Sequence, residues 1–492
     1  MNKKVRTGII AGSCAVVLLA GALVVLKLTE PAETTEEENN LSSTSSPAEK
    51  TSKLLYDKNP ADIASVELKN AEGTFKVERY ADDFWTIPEI SGLPLDYNAI
   101  NTILESCASV TAEQTVVEKA EDLSVYGLAE PQVTATAVFD GSAAETKTIL
   151  IGDETPKTGY YYFKFADSDT VYTIKKGAVS YLFYGEYDCL NHVMYATPVD
   201  TDTEDDYNPA KINSITISRK DIDYDIKLEY DVRQDYAESI TGNSSTHVLS
   251  EPVSLDLNPD KAEATLNGIF SLSAVDVAAV YPDEAALAEY GLDDPYGKVT
   301  FDINAGVMTI LMGDPYKNEE GKQEGYYCKV DGIDVIYKFT NGSFPWIDVM
   351  PLDITTSLIT STYIYSINTI DIECEGTSYS YQLEGEDAKS LAVKLDGNEY
   401  ADTDKFKTFY QFILRAPAEE LYTENNTDEA RITITMTTDY GKDVLEFITD
   451  EDRMTVIRLN GRTSFRCRTA YADRLAENIL KMVSGGELIE TW

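Results

Sequence analysis

The phrase YGLAEP at residues 126–131 returns as YGLDDP at 290–295, 164 residues further along. No other feature constrains the fold of this chain as strongly. A turn motif written twice at a domain-sized interval implies a duplicated unit, so its neighbours should repeat in step. They do. IASVEL at 63–68, INSITI at 212–217 and INTIDI at 367–372 each alternate an aliphatic residue with a small or polar one. That is the pattern of a half-buried strand. These three begin 149 and 155 residues apart, which predicts three copies rather than two.

A helical stripe follows in each copy. In LDYNAINTILESCASV, Asp96 stands as the cap and Ile100, Ile103, Leu104 and Cys107 share one face. In LDLNPDKAEATLNGIFSL, Asn258 caps, Pro259 opens the first turn, and Leu266, Ile269 and Phe270 face inward. In DTDKFKTFYQFILRA the stripe is Phe406, Phe409, Tyr410, Ile413 and Leu414. Leu95-Asp96 and Leu255-Asp256, 160 residues apart, are read as equivalent. Beyond the phrase, TILIGD ending at Asp153 answers TILMGD ending at Asp314, and YYFK ending at Lys164 answers YYCK ending at Lys329. Tyr172 and Tyr337 each follow eight residues later. The third copy keeps the strands RITITMTT and RMTVIRLNG but lacks the phrase and the Gly-Asp, and it closes on the helical YADRLAENILKMV.

The phrase reads as a structural turn. Gly127 and Gly291 suit a positive φ or a site without room for a side chain. Pro131 and Pro295 set the entry to the next strand. Tyr126 and Leu128, like Tyr290 and Leu292, would pin the turn to the core; a ligand site is the alternative. The expected fold is therefore α+β, with three tandem repeats of a mostly antiparallel unit carrying one long helix each. Their expected bounds are 54–200, 207–352 and, diverged, 360–492.

The N-terminus has a different character. Lys3, Lys4 and Arg6 precede an uncharged run from Thr7 to Leu26, about 30 Å long as a helix and enough to cross a bilayer core. The expectation is a cytoplasmic tail at 1–6, a transmembrane helix at 7–28 held by its positive flank, and an extracytoplasmic body. Residues 29–53, rich in acid and Ser/Thr, should form a disordered stalk. A cleaved signal peptide is the rival reading. Against it stand the long apolar run and the lack of a small-x-small site in KLTEPAETT. AGSC at 11–14 also lacks the aliphatic residue a lipoprotein signal places three before its cysteine.

A net charge of −44 over 492 residues excludes nucleic acid as a partner and opposes docking on anionic head groups. Solubility explains the acidity, and a cation-binding surface is the alternative. Cys107, Cys189, Cys328, Cys374 and Cys467 are an odd, widely spaced set, so buried free thiols are expected rather than a disulfide framework. A Cys374–Cys467 pairing stays open.

Catalytic motifs are missing. The two histidines, His192 in DCLNHVMY and His247 in GNSSTHVLS, sit in no nucleophile or metal arrangement. Lys157-Thr158-Gly159 echoes a motif of penicillin-interacting serine enzymes, but no serine is followed three places on by lysine. Asp221, Asp223 and Asp225 begin like a calcium loop, yet Ile226 and Val232 occupy its glycine and glutamate positions. Their alternation with Ile222, Tyr224, Ile226 and Leu228 predicts a strand with a wet acidic face. DTDTEDD at 200–206 reads as linker. Of the 32 tyrosines, those in GYYYFKF should be half core by alternation, and an adhesion or glycan surface is the alternative for exposed ones. No catalytic, cofactor or metal residue is assigned, and the chain is expected to be no enzyme.

An N-terminal anchor followed by duplicated YGL-x-x-P, IGD, GYYY-K and VY resembles the bacterial family called domain of unknown function 4340. The likeness is good over about 61–350 and weak over 360–492. It implies an exported or membrane-bound envelope protein, sometimes associated with ABC-type transport systems, including gliding-motility-like ones. No catalytic residues come with it. The resulting expectation is a non-enzymatic accessory subunit that contacts a membrane complex such as a transporter permease. A module binding cell-wall glycan or an exported ligand is the alternative.

Overall fold

Each of the three alternating segments becomes the first strand of a sheet: Ile63–Asn70, Ile212–Arg219 and Ile367–Cys374. The structure is a computed structural model describing residues 52–81, 84–141, 144–194, 210–235, 245–418 and 420–491. From Ser52 on the chain forms one compact unit.

Counted along the second repeat, its sheet of 9 strands has the order fourth, third, second, first, sixth, seventh, eighth, ninth, fifth. The third repeat has the same order. The main sheet of the first repeat has 8 strands and lacks only the outermost fourth, while strands Lys53–Asp57 and Ser109–Ala112 pair in a separate 2-stranded sheet. The chain path explains this order. Hairpins run outward from the first strand to one edge, and the helix then carries the chain across the sheet to the other edge. The sixth strand returns to the centre, pairs antiparallel with the first, and starts a second meander outward. In the first repeat the crossing helix, Tyr97–Ala108, packs on the first strand and on the sixth, Val133–Phe139. The architecture is thus mostly antiparallel sheet with a few helices, α+β.

The helices begin where side chains can cap them. The Asp96 carboxylate accepts from the Asn98 N–H at 2.9 Å, Asn258 from those of Asp260 and Lys261 at 3.1 Å, and Asp402 from that of Lys405 at 3.0 Å. Ile100, Ile103, Leu104 and Cys107 are buried, as are Leu266, Ile269, Phe406, Phe409, Tyr410 and Ile413, while Phe270 and Leu414 are half-buried. These caps shift one expected equivalence by two residues. Asp96 matches Asn258, so Leu95 matches Leu257 and Asp256 matches Pro94. Both leucines make the same isolated bridge to the end of their own repeat, Leu95 to Leu190 and Leu257 to Thr355.

The exiting chain then reaches the next repeat just past its helix. Val193 bridges to Ser273, and the Ile359 N–H donates to the Leu414 carbonyl at 3.0 Å. The final helix, Thr469–Ser484, packs on the Thr403–Leu414 helix and on strands Met454–Leu459 and Arg462–Arg468.

Two local expectations change. Residues 220–225 form a turn, and the strand begins only at Ile226. The acids remain exposed and Ile222 and Tyr224 half-buried, but the backbone bends because the buried Arg219 guanidinium grips Asp221, with Nε to Oδ1 at 3.0 Å. In the strand Tyr160–Phe165 the three tyrosines are all half-buried and the last three residues buried, so burial does not alternate. Aromatic partners on both sides explain this: Tyr126 lies against Tyr162, and Phe183 stacks on Tyr161. No helix among the described residues is long and apolar enough to cross a membrane. The expected tail 1–6, span 7–28, most of the stalk and the 200–206 run lie outside the described residues.

Candidate functional site

The repeated motifs meet one another. Gly127 and Gly291 are left-handed, with φ of 67° and 66°. A Cβ on Gly127 would stand 2.4 Å from the Asp153 carboxyl carbon, and one on Gly291 2.6 Å from that of Asp314. A Cβ on Gly152 would fall 2.1 Å from the Tyr126 carbonyl oxygen, and one on Gly313 2.3 Å from that of Tyr290. Leu128 and Leu292 are buried beneath the turn. The Tyr126 ring meets Tyr162 at 5.1 Å, and the Tyr290 ring meets Tyr327 at 4.6 Å. YGL, IGD and the tyrosines before Lys164 or Lys329 are therefore three faces of one packed turn. The third repeat carries its own control. Strand register puts Ile448 where Gly152 and Gly313 stand, and Ile448 is buried where the missing phrase would have packed.

The other sequence candidates scatter. Lys157 and Thr158 lie exposed in the turn between strands Glu145–Glu154 and Tyr160–Phe165, as a loop reading requires. His192 sits at the joint of the first two repeats, with Nε2 buried and unpartnered among the described residues. His247 is buried; its Nε2 lies 3.0 Å from the Ile212 carbonyl and its Nδ1 2.8 Å from the Thr246 hydroxyl. Burial lowers its pKa, with Lys211 adding to the effect and the Ile212 carbonyl and Asp231 opposing it. The five described cysteines are all buried thiols. Cys374 and Cys467 lie on the first and ninth strands of one sheet, four strands apart. At about 4.8 Å per strand that is roughly 19 Å, well beyond the ~7 Å a disulfide tolerates.

What the sequence did not reveal is a charged cleft where the second repeat meets the third. Asp231 follows strand Ile226–Tyr230 and Asp256 precedes the Asn258 cap, and both are buried, at 3% and 6% exposure. Arg233 bridges them: its Nε donates to Asp231 Oδ1 at 2.8 Å and its Nη2 to Asp256 Oδ1. Burial disfavours the guanidinium charge, but Asp231 and Asp256 outweigh this and raise the Arg233 pKa. Ser361, in the segment leading to the third repeat, donates to Asp256 Oδ2. Across the gap, the third repeat's Asp443 accepts from the Thr360 hydroxyl at 3.0 Å, from Thr362, and from Asn460 Nδ2 at 3.2 Å. A cavity of about 270 Å³ is lined by Asp231, Arg233, Asp256, Thr360 and Asp443, and a second of about 180 Å³ shares Arg233 and Asp443. The one available signal was Asp256 itself, standing where the other copies have Pro94 and Tyr400.

Residues 85–281 match the family model described as Domain of unknown function (DUF4340). This is the family that the repeated motifs resemble. No curated protein and no solved structure matches the chain. The DUF4340 match enters the first repeat at Trp85, includes the first phrase and crosses the joint. It ends at Tyr281, before the second phrase. Asp231, Arg233 and Asp256 lie within it, and Asp443 lies beyond it.

Proposed function

We propose that this chain is a membrane-anchored extracytoplasmic envelope protein acting through protein contacts, as a non-enzymatic accessory subunit of an ABC-type transport complex. One observation carries the reading: the motifs shared by the first two repeats pack on each other and so preserve a surface-bearing scaffold. The apolar run at 7–28 and the acidic stalk at 29–53 would tether that scaffold beside other membrane proteins, raising its effective concentration there. Protease added to protoplasts should remove the body of the protein; a protected body refutes the orientation. Mild cross-linking in cells should enrich a transporter permease over a stalk-only control. Recovery of the protein alone would refute the accessory role.

A second reading, a module for cell-wall glycan or an exported ligand, is favoured by the aromatic pair Tyr80 and Phe84. The two are 66% and 53% exposed, with ring centroids 6.0 Å apart, and exposed rings of this kind can stack on sugars. Binding to purified cell wall, abolished by Tyr80→Ala with Phe84→Ala, would select it.

A further inference from the structure

We propose that the third repeat docks an extended segment of a partner protein, an aliphatic residue between basic ones, on its backbone at residues 400–402. This rests on the accessory reading and names the surface through which that role would act.

The first two repeats show what this stretch of backbone does. In the first, the cap residue Asp96 donates its N–H to the Cys189 carbonyl at 2.9 Å, and the Pro94 carbonyl accepts the Asn191 N–H at 2.8 Å. In the second, Asn258 donates to the Ile354 carbonyl at 2.9 Å, and the Asp256 carbonyl accepts the Thr356 N–H at 2.9 Å. Each pair of bonds clamps three residues from the end of the same repeat, 189–191 or 354–356. The middle residue, Leu190 or Thr355, is extended and buried, and makes the bridge to Leu95 or Leu257. Cap alignment puts Asp402 with Asp96 and Asn258, and Tyr400 with Pro94 and Asp256. Among the described residues, however, nothing bonds the Asp402 N–H or the Tyr400 carbonyl, and no bridge forms at Ala401. One donor and one acceptor, spaced to pair with an extended chain, therefore face outward.

The end of the third repeat is held elsewhere. Asn478, fully buried on the final helix, donates its Nδ2 to the Ile489 carbonyl and accepts the Ile489 N–H, both at 2.8 Å. A cavity of about 660 Å³ separates residues 400–402 from this tail. Backbone pairing at a strand-like edge supplies affinity for any extended segment, and the flanking side chains choose among them. Val483, 50% exposed, and the half-buried Leu488 give the cavity an apolar wall. Glu487 and Glu490 line it too, and no cation among the described residues pairs with either. Lys405, the cation of the lining, gives its Nζ to the Lys481 carbonyl at 3.0 Å. An aliphatic residue beside Lys or Arg meets both demands.

The test is amide hydrogen exchange, resolved to single residues, on the purified full-length chain at about 0.15 M salt, which screens the general acidity of the surface. The probe is the peptide acetyl-Gly-Lys-Leu-Lys-Gly-amide. In the chain alone the Asp402 amide should exchange about tenfold or more faster than the paired Asp96 and Asn258 amides. Peptide at about ten times its dissociation constant should slow it about tenfold. Methylating the backbone nitrogen of the second lysine, the donor to Tyr400, should abolish this protection. Methylating that of the leucine, which points away from the clamp, should not. Glu487→Gln with Glu490→Gln should raise the peptide concentration required about threefold to tenfold, the scale of two exposed ion pairs. The acidic peptide acetyl-Gly-Glu-Leu-Glu-Gly-amide should give no protection. An Asp402 amide already protected in the chain alone would mean that the tail fills the clamp, and it overturns the proposal. Equal loss on either methylation overturns it as well, since the backbone would then not be the contact. So does a lack of protection at millimolar peptide, a result that leaves the accessory reading to the cross-linking experiment.

Discussion

The packed turn makes a quantitative demand at Gly313. An alanine there would place its Cβ 2.3 Å from the Tyr290 carbonyl oxygen and 3.0 Å from the Leu292 Cγ. Ordinary C···O contacts are about 3.3 Å or more, so the carbonyl must retreat by about 1 Å. That same carbonyl accepts the Asp314 N–H at 2.9 Å. Straining this bond costs about 1 kcal/mol, and overpacking a tight site costs typically 1–3 kcal/mol. Gly313→Ala should therefore destabilise the second repeat by roughly 2–4 kcal/mol, or about 5–15 °C in melting temperature. Trp346, fully buried in that repeat, is the reporter, in a Trp85→Phe, Trp492→Phe background followed by fluorescence in urea. Gly291→Ala is the informative contrast. Its Cβ would press on the Asp314 side-chain carboxyl, which can swing away, so the left-handed backbone cost of about 1–2 kcal/mol should dominate. Adding Asp314→Ala should recover part of the Gly291→Ala loss and none of the Gly313→Ala loss. A Gly313→Ala midpoint unchanged within about 0.5 kcal/mol would refute the interlocking of the two motifs.

Ile448 fills the equivalent space in the third repeat, so Ile448→Ala should cost about 2–5 kcal/mol in a urea titration; an unperturbed midpoint would mean the space is not a packed one. Burial pushes the Cys107 and Cys189 thiols up to about 12 and keeps all five described thiols out of solvent. Maleimide should label none of these five in the native chain and all of them in urea, and a non-reducing digest should show no Cys374–Cys467 peptide. Stability should also depend on His247. Burial sets its folded pKa below the unfolded 6.5, so the stability contributed by the neutral ring is complete above that value and is lost as pH falls through the folded one. The urea midpoint should fall between about pH 7.5 and about pH 5.5, and His247→Gln should flatten that fall. An unchanged slope would show that the ring does not titrate across unfolding.

Local physics was legible in the sequence wherever one segment carried its own evidence. The Asn258-Pro259 cap, the glycines that tolerate φ near 66°, and the aliphatic alternation of the first strands each depend on residues a few places apart. Alternation at 221–225 forecast exposure correctly but not backbone, because the bend is set by Arg219, whose guanidinium is anchored by the Trp346 and Val349 carbonyls from the far end of the repeat. The cleft was invisible for a related reason. Its residues come from segments near 231, 256, 360 and 443, and in a chain with 85 acidic residues nothing local distinguishes a buried aspartate from a solvated one.

The three copies also separate what holds the molecule together from what individualises it. At the joint of the first and second repeats the described hydrogen bonds join uncharged groups. Met194 and Ala274 donate backbone N–H groups to Leu272 and His192, and the Tyr281 and Tyr337 hydroxyls reach the Ser91 and Asn191 carbonyls. At the second joint charged side chains appear. Arg462 donates to the Ser250 carbonyl at 2.9 Å and to the Glu251 carboxylate, and Ser361 reaches the buried Asp256. Neutral backbone bonds are nearly indifferent to ionic strength, whereas the partly exposed Arg462–Glu251 pair is screened by salt. The same topology is thus joined twice by different chemistry. The junction built with charges is also the one whose cavity is lined by three carboxylates and one guanidinium, so ionic strength and pH should act on the second joint and leave the first nearly unchanged.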